Sequence, residues 1–192
     1  MSAPVRRRTR ARELALQFLY MLEQRGPEAG EELLPFVEHH TKGGRDVRGR
    51  GEVREFALAA VHGVQEHQQR IDGWIEAIAR NWRLDRMAIV DRNVLRIAVW
   101  ELLFREDIPY KVVINEAIDI AKRFSTGQSG SFVNGILDRA RVLIQDARTA
   151  GESLPDPPER SVAMAPEPEA NEPAPLAGAD TPVPRPRSRR SE

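Results

Sequence analysis

Between Arg8 and Arg148 the apolar residues recur every three or four positions, and no stretch alternates with period two for long enough to form a strand. A chain patterned in this way buries its apolar surface by packing helices on helices, so the expected fold class is all-α. Ala11, Leu14, Ala15, Phe18 and Leu22 share one face of a first helix, which Gly26-Pro27 stops. A short second helix is expected over residues 28–39, then a glycine-rich basic loop over residues 40–51. Val53, Phe56, Ala57, Ala60, Val61 and Val64 mark a third helix over about residues 52–68. Ile71, Trp74, Ile75 and Ile78 continue in a fourth after a bend near Arg70. Residues 84–104 are the most apolar stretch, and their later half is apolar nearly all round, as befits a helix at the centre of a domain. Pro109 suits the start of the next helix, whose stripe is Ile114, Ala117, Ile118, Ala121 and Phe124. After a turn over residues 127–131, Ser131 is placed to cap a last helix that buries Phe132, Val133, Ile136, Leu137, Ala140, Leu143 and Ile144. The reading is about seven helices.

Of the 192 residues, 41% are hydrophobic, enough for one domain with a core or two small packed units. The last part differs. Residues 154–192 hold most of the prolines, with alanine, glutamate and serine between them and few large apolar side chains. Such a segment cannot offset its ordering entropy by burial, so residues 1–150 are read as the folded domain and residues 151–192 as a disordered tail. The tail ends in a basic cluster from Arg185 to Arg190, which fits either a solvated run or added RNA affinity.

Several classes of chemistry are excluded by residue type or spacing. With no cysteine there is no disulfide, thiolate nucleophile or cysteine-ligated zinc. His39, His40, His62 and His67 lack metal-ligand spacing. The segment from Gly127 to Ser131 lacks the lysine of a phosphate loop and follows a helix. No nucleotide-binding glycine motif, nucleophile elbow or acid/base pair stands out, so the chain is expected to have no catalytic residue, metal or cofactor. No apolar run would span a bilayer, and Glu13 and Gln17 interrupt any signal-peptide core behind the basic N-terminus. A cytoplasmic protein without a membrane partner is the expectation.

Lys plus Arg and Asp plus Glu balance at 29 each, so distribution rather than net charge is informative. Arg6, Arg7, Arg8, Arg10 and Arg12 precede or open the first amphipathic helix with no acid among them. Guanidinium forks suit phosphate, and clustered arginines release counterions from nucleic acid. The pattern alone fits that reading or a solvated arm. Gln17 and Tyr20 follow on the same helix. Tyr20 is placed either as a base-stacking platform or at the rim of the core with its hydroxyl in water.

Three further segments complete a pattern: Val94–Leu102 (VLRIAVWEL), Ile108–Ala117 (IPYKVVINEA) and Phe132–Asp138 (FVNGILD). In order and spacing these, with the opening run from Arg6 to Tyr20, resemble the NusB family of bacterial transcription antitermination factors over about residues 6–148. The resemblance implies two packed helical bundles. It also implies binding of the boxA element of leader RNA, chiefly of ribosomal RNA operons, as a single strand. Its partners would be NusE, a small-subunit ribosomal protein, and the RNA polymerase elongation complex. By position it assigns RNA contact to Arg6, Arg7, Arg8, Arg10, Arg12, Gln17, Tyr20 and Phe132, and a NusE-facing surface to Asp91 and Tyr110. Phe132 also fits plain core packing. Two departures stand out: relatives often carry a basic residue where this chain has Ser131, and the proline-rich tail lies outside the resemblance. Two other readings are an RNA-engaging accessory domain of a ribosomal RNA methyltransferase, against which the chain offers no cofactor-binding sheet, and an adaptor that binds only protein.

Overall fold

The computed structural model describes residues 3–42, 47–79 and 82–158. Among them are seven α-helices: α1 (Ala3–Arg25), α2 (Leu33–Thr41), α3 (Val47–Glu66), α4 (Gln68–Ile78), α5 (Ile89–Phe104), α6 (Tyr110–Phe124) and α7 (Ser129–Thr149). Short 3-10 turns occupy Pro27–Glu32 and Leu84–Arg86, and no described residue is in a strand.

The breaks follow local chemistry. Gly26 ends α1 at φ +90°, a left-handed conformation that glycine adopts without a Cβ clash. The α3–α4 bend falls at His67, three residues earlier than expected, where the ring stacks on Phe104 at 4.1 Å. Pro109 precedes α6, and its carbonyl accepts the Val112 and Val113 N–H groups. The anticipated cap at Ser131 is not found. α7 begins at Ser129, whose hydroxyl oxygen accepts the Thr126 N–H at 3.2 Å, and Ser131 lies inside the first turn. The glycine-rich loop is also shorter than expected, because α3 already starts at Val47 and takes in Gly49 and Gly51. Gly49 is buried there, so packing outweighs the roughly 1 kcal/mol that a glycine costs in a helix.

α1, α2 and α3 pack together, α4, α6 and α7 form a second group, and α5 lies between them, touching α1, α3, α4, α6 and α7. This explains the apolar circumference of α5, on which every residue from Asn93 to Leu103 is buried. One continuous core runs through both groups, with Phe18, Trp74, Leu95 and Leu137 among its fully enclosed side chains.

The chain does not leave the domain at Gly151. Residues 152–158 turn back along α4, where Arg70 donates to the Leu154 and Pro155 carbonyls and pairs with Asp156 at 2.9 Å. The Trp74 indole N–H donates to the Pro155 carbonyl, and Pro157 rests against Gly73, where a Cβ would stand 3.0 Å from it. This strap covers the edge of a core tryptophan. The disorder expected of the tail beyond it concerns residues 159–192, which lie outside the described residues.

Of the described glycines, Gly63 of α3 is the most closely covered, by the Trp100 side chain of α5. A Cβ placed on Gly63 would fall 2.0 Å from Nε1 of Trp100, itself buried. Gly63→Ala is therefore expected to destabilise the fold by about 1–3 kcal/mol through overpacking. Thermal unfolding followed by circular dichroism should show the midpoint drop by several degrees.

Candidate nucleic-acid interface

Four residues apart on one face of α1, two arginines have opposite fates. Arg12 points inward, only 2% exposed, and forms a two-pronged pair with Glu101 of α5, both contacts at 2.7 Å. A second carboxylate, Glu116 of α6, lies 3.4 Å away. Arg8, one turn toward the N-terminus, keeps 44% of its side chain in solvent and reaches Asp107 in the α5–α6 loop at 3.5 Å. Both guanidinium groups, with that of Arg105, surround the Phe56 ring at 5.0–5.3 Å, a cation–π arrangement that holds them without neutralising them.

Of the other arm residues, Arg7 is partly buried and Arg10 is more open. Arg7 pairs with Glu52 at the start of α3, 3.0 Å away. Arg10 meets Glu13 one turn on, at 3.2 Å. Arg6 lies within α1, but its side chain is outside the described residues. Arg10, Glu13, Gln17 and Tyr20 run along a common face at helical spacing. Gln17 is half-buried and Tyr20 is 43% exposed, so Tyr20 presents ring surface to solvent instead of filling the core.

The structure adds a cation that the sequence reading overlooked. Arg123, at the end of α6, reaches Glu13, and its guanidinium lies over the Phe124 ring at 5.1 Å. Buried Glu13 thus holds two largely exposed arginines, Arg10 and Arg123, leaving a local excess of positive charge beside Gln17. The hint in the sequence is that Lys122-Arg123 falls off the α6 apolar stripe.

Further along, Glu23 receives Arg92, Arg96 at 2.6 Å and Asn93 at 3.0 Å, while Arg96 also grips Asp72 of α4 at 2.7 and 2.8 Å. Burial pushes the Glu23 carboxyl up, but the Arg92 hydrogen bond and charge, with Arg96, more than offset this and hold it below its ordinary range. This cluster joins α1, α4 and α5, and Arg92 and Arg96 line an open cavity of about 620 Å³.

Phe132, expected to touch RNA or to pack in the core, packs against the core with part of its ring left open. It is half-buried at the start of α7 and meets the exposed Trp82 edge-on, with ring centroids 5.5 Å apart. The two residues assigned to a partner-facing surface are not brought together. Asp91 is 8% exposed and accepts the Ser129 hydroxyl at 2.9 Å, at the beginning of α7. Tyr110 lies beneath the Arg141 guanidinium at 4.9 Å, twelve residues further along α7 than Ser129, about 18 Å at helical rise. There it borders a groove of about 390 Å³ with Arg105 and Arg148.

The geometry defines an all-helical protein of two packed groups whose first helix carries a cationic, aromatic-bearing face. The sequence places it more closely. The model of the NusB family matches residues 9–141. A transcription antitermination protein NusB of Anaeromyxobacter dehalogenans is 48% identical over 142 residues, covering 74% of this chain and 95% of the relative. Among solved structures, NusB of T. maritima superposes with a TM-score of 0.59 at 40% identity, over 70% of this chain and 90% of that one. Antitermination factors NusB and NusE in complex with double-stranded RNA give a TM-score of 0.61 at 30% identity, over 72% and 98%. The chain belongs to the NusB family.

Two predictions separate structural from surface arginines. Arg12→Ala strands two buried carboxylates and is expected to cost about 3–5 kcal/mol of stability, read by denaturant unfolding. Asp107→Asn frees Arg8 for phosphate, so RNA affinity should rise, by up to about fivefold if the exposed pair is worth at most ~1 kcal/mol. The Arg105 hydrogen bond first, and then the charges of Arg105 and Arg8, hold the Asp107 carboxyl below its ordinary range. Its pairs therefore persist through neutral pH and are lost only as pH falls through that lowered value. A filter-binding titration at neutral pH checks the variant.

Proposed function

We propose that this chain is an RNA-binding transcription antitermination factor that takes up the boxA element of nascent ribosomal RNA transcripts together with NusE, and so helps RNA polymerase resist termination. It acts in the cytoplasm and performs no catalysis of its own. The observation that carries this reading is the set Arg7, Arg8 and Arg10 at the head of α1, of which Arg7 and Arg8 meet the exposed carboxylates of Glu52 and Asp107, pairs that a phosphate can replace. Kinship with a NusB seen in complex with NusE and RNA supports both partners.

Binding proceeds by electrostatic capture and then base reading. Phosphate contacts from the arm set position, and unstacked bases meet Tyr20, Gln17 and the Phe132 end of α7. Arg12, among the five arginines first assigned to RNA, supports the arm from inside by fixing α1 to α5. Asp91 and Tyr110 mark two separate patches for the protein partner, at the two ends of α7. Simultaneous contact with RNA and NusE raises the effective concentration of each for the other.

The test is a gel-shift titration with boxA RNA, with and without NusE, at several salt concentrations. Arg7→Glu with Arg8→Glu is expected to weaken binding. Removing two phosphate contacts should flatten the dependence of log affinity on log salt by about 1.4, at ~0.7 per contact on a single strand. Wild-type binding with no salt response would overturn the reading.

A further inference from the structure

Residues 154–158 are held on α4 by side chains that can only donate hydrogen bonds. The Arg70 guanidinium donates to the Leu154 carbonyl at 3.2 Å and to the Pro155 carbonyl at 3.0 Å, and the Trp74 indole N–H reaches the Pro155 carbonyl at 3.4 Å. Neither side chain can accept a hydrogen bond. The segment they hold has the opposite character. Pro155, Pro157 and Pro158 each offer a carbonyl and no N–H. A donor-only face meets an acceptor-rich segment.

The shapes also match. Arg70, Gly73 and Trp74 share one face of α4 at helical spacing. Gly73 leaves that face flat, and the Pro157 ring rests on it, with Cγ 3.0 Å from where a Cβ would stand. Pro155 is buried against Trp74, whereas Asp156 is exposed and returns its carboxylate to Arg70 at 2.9 Å. Each proline fixes its own φ near about −65° and keeps the residue before it out of the helical region, so the segment is extended before it docks and costs little to order. It is also set apart from α7. The chain reverses at Gly151, φ +99°, and Glu152, Ser153 and Leu154 are exposed before Pro155 is buried.

We infer that Arg70, Gly73 and Trp74 form a binding site for a proline-rich segment with an acid between its prolines, filled in this chain by its own residues 154–158 as a tethered ligand. The indole N–H and the flat glycine seat read the extended proline backbone, and Arg70 reads the acid. The short link from α7 keeps the site filled, because it supplies an effective concentration on the order of millimolar. The helices fold without the ligand.

The test uses the full chain labelled with nitrogen-15 at tryptophan, with the Trp74 indole N–H followed by NMR. A released chain carries Asp156→Lys, which sets a like charge against Arg70, and Pro157→Gly, which empties the seat. In it the Trp74 signal is expected to move, and its solvent exchange to quicken by at least about fivefold, the worth of one ordinary hydrogen bond. A synthetic peptide of residues 152–158, added at several millimolar, should return the signal to its wild-type position. The same peptide with alanine at its prolines should not. Gly73→Leu in the released chain favours the helix but fills the seat, and should abolish the response to peptide. An unmoved Trp74 signal in the released chain would show that the segment is not seated and overturn the inference. No recovery with peptide, or equal recovery with the alanine peptide, would overturn it too. So would a released chain that does not fold, since the segment would then be part of the fold and not a ligand.

Discussion

The fold turns on a buried ion pair. Arg12 of α1, Glu101 of α5 and Glu116 of α6 meet where the helix groups join, and all three are nearly without solvent. A lone charge there would be prohibitively costly to desolvate; a guanidinium fork on a carboxylate fixes register instead. Near the other end of α1, Glu23 repeats the device with Arg92 and Arg96, which binds Asp72 in turn. Between these two points α1 is clamped against α5, which sets the rotation of α1 about its axis. That rotation decides which of its side chains face water.

From the clamp the surface follows. With Arg12 inward, Arg8 emerges one turn earlier beside Phe56, and Arg10, Gln17 and Tyr20 line the neighbouring face. Arg123 enters this line from α6 through Glu13, and Ser129 ties the start of α7 to Asp91 at the head of α5. The cationic and aromatic residues come from three helices, yet their relative placement is set by internal polar contacts. A face held by internal contacts of this kind has fewer side chains left to order when it meets a ligand.

Much of the helical scaffold was readable because each helix buries a stripe, and the stripe is a local property of the sequence. What escaped the reading was long-range. Five arginines in seven positions look alike, and nothing local reveals that Arg12 has a partner 89 residues away. Asp91 reads as a surface acid until the Ser129 hydroxyl is seen to cover it. Gly49 and Gly51 read as loop residues, although packing draws them into α3. The strap was hidden by its prolines, since composition cannot register the hydrogen bonds of Arg70 and Trp74 to the carbonyls of residues 154 and 155. Trp82 lies outside every apolar stripe, and that isolation was the available signal for its exposure.

The central claim is that RNA follows the outer face of α1 from the arginine arm toward the start of α7. Ultraviolet crosslinking of the full chain to boxA RNA, with the attached peptides identified by mass spectrometry, tests it directly. The account predicts adducts at Tyr20 and on the peptide that carries Phe132. Adducts confined to α2 and α3, with those aromatic residues unmodified, would contradict it.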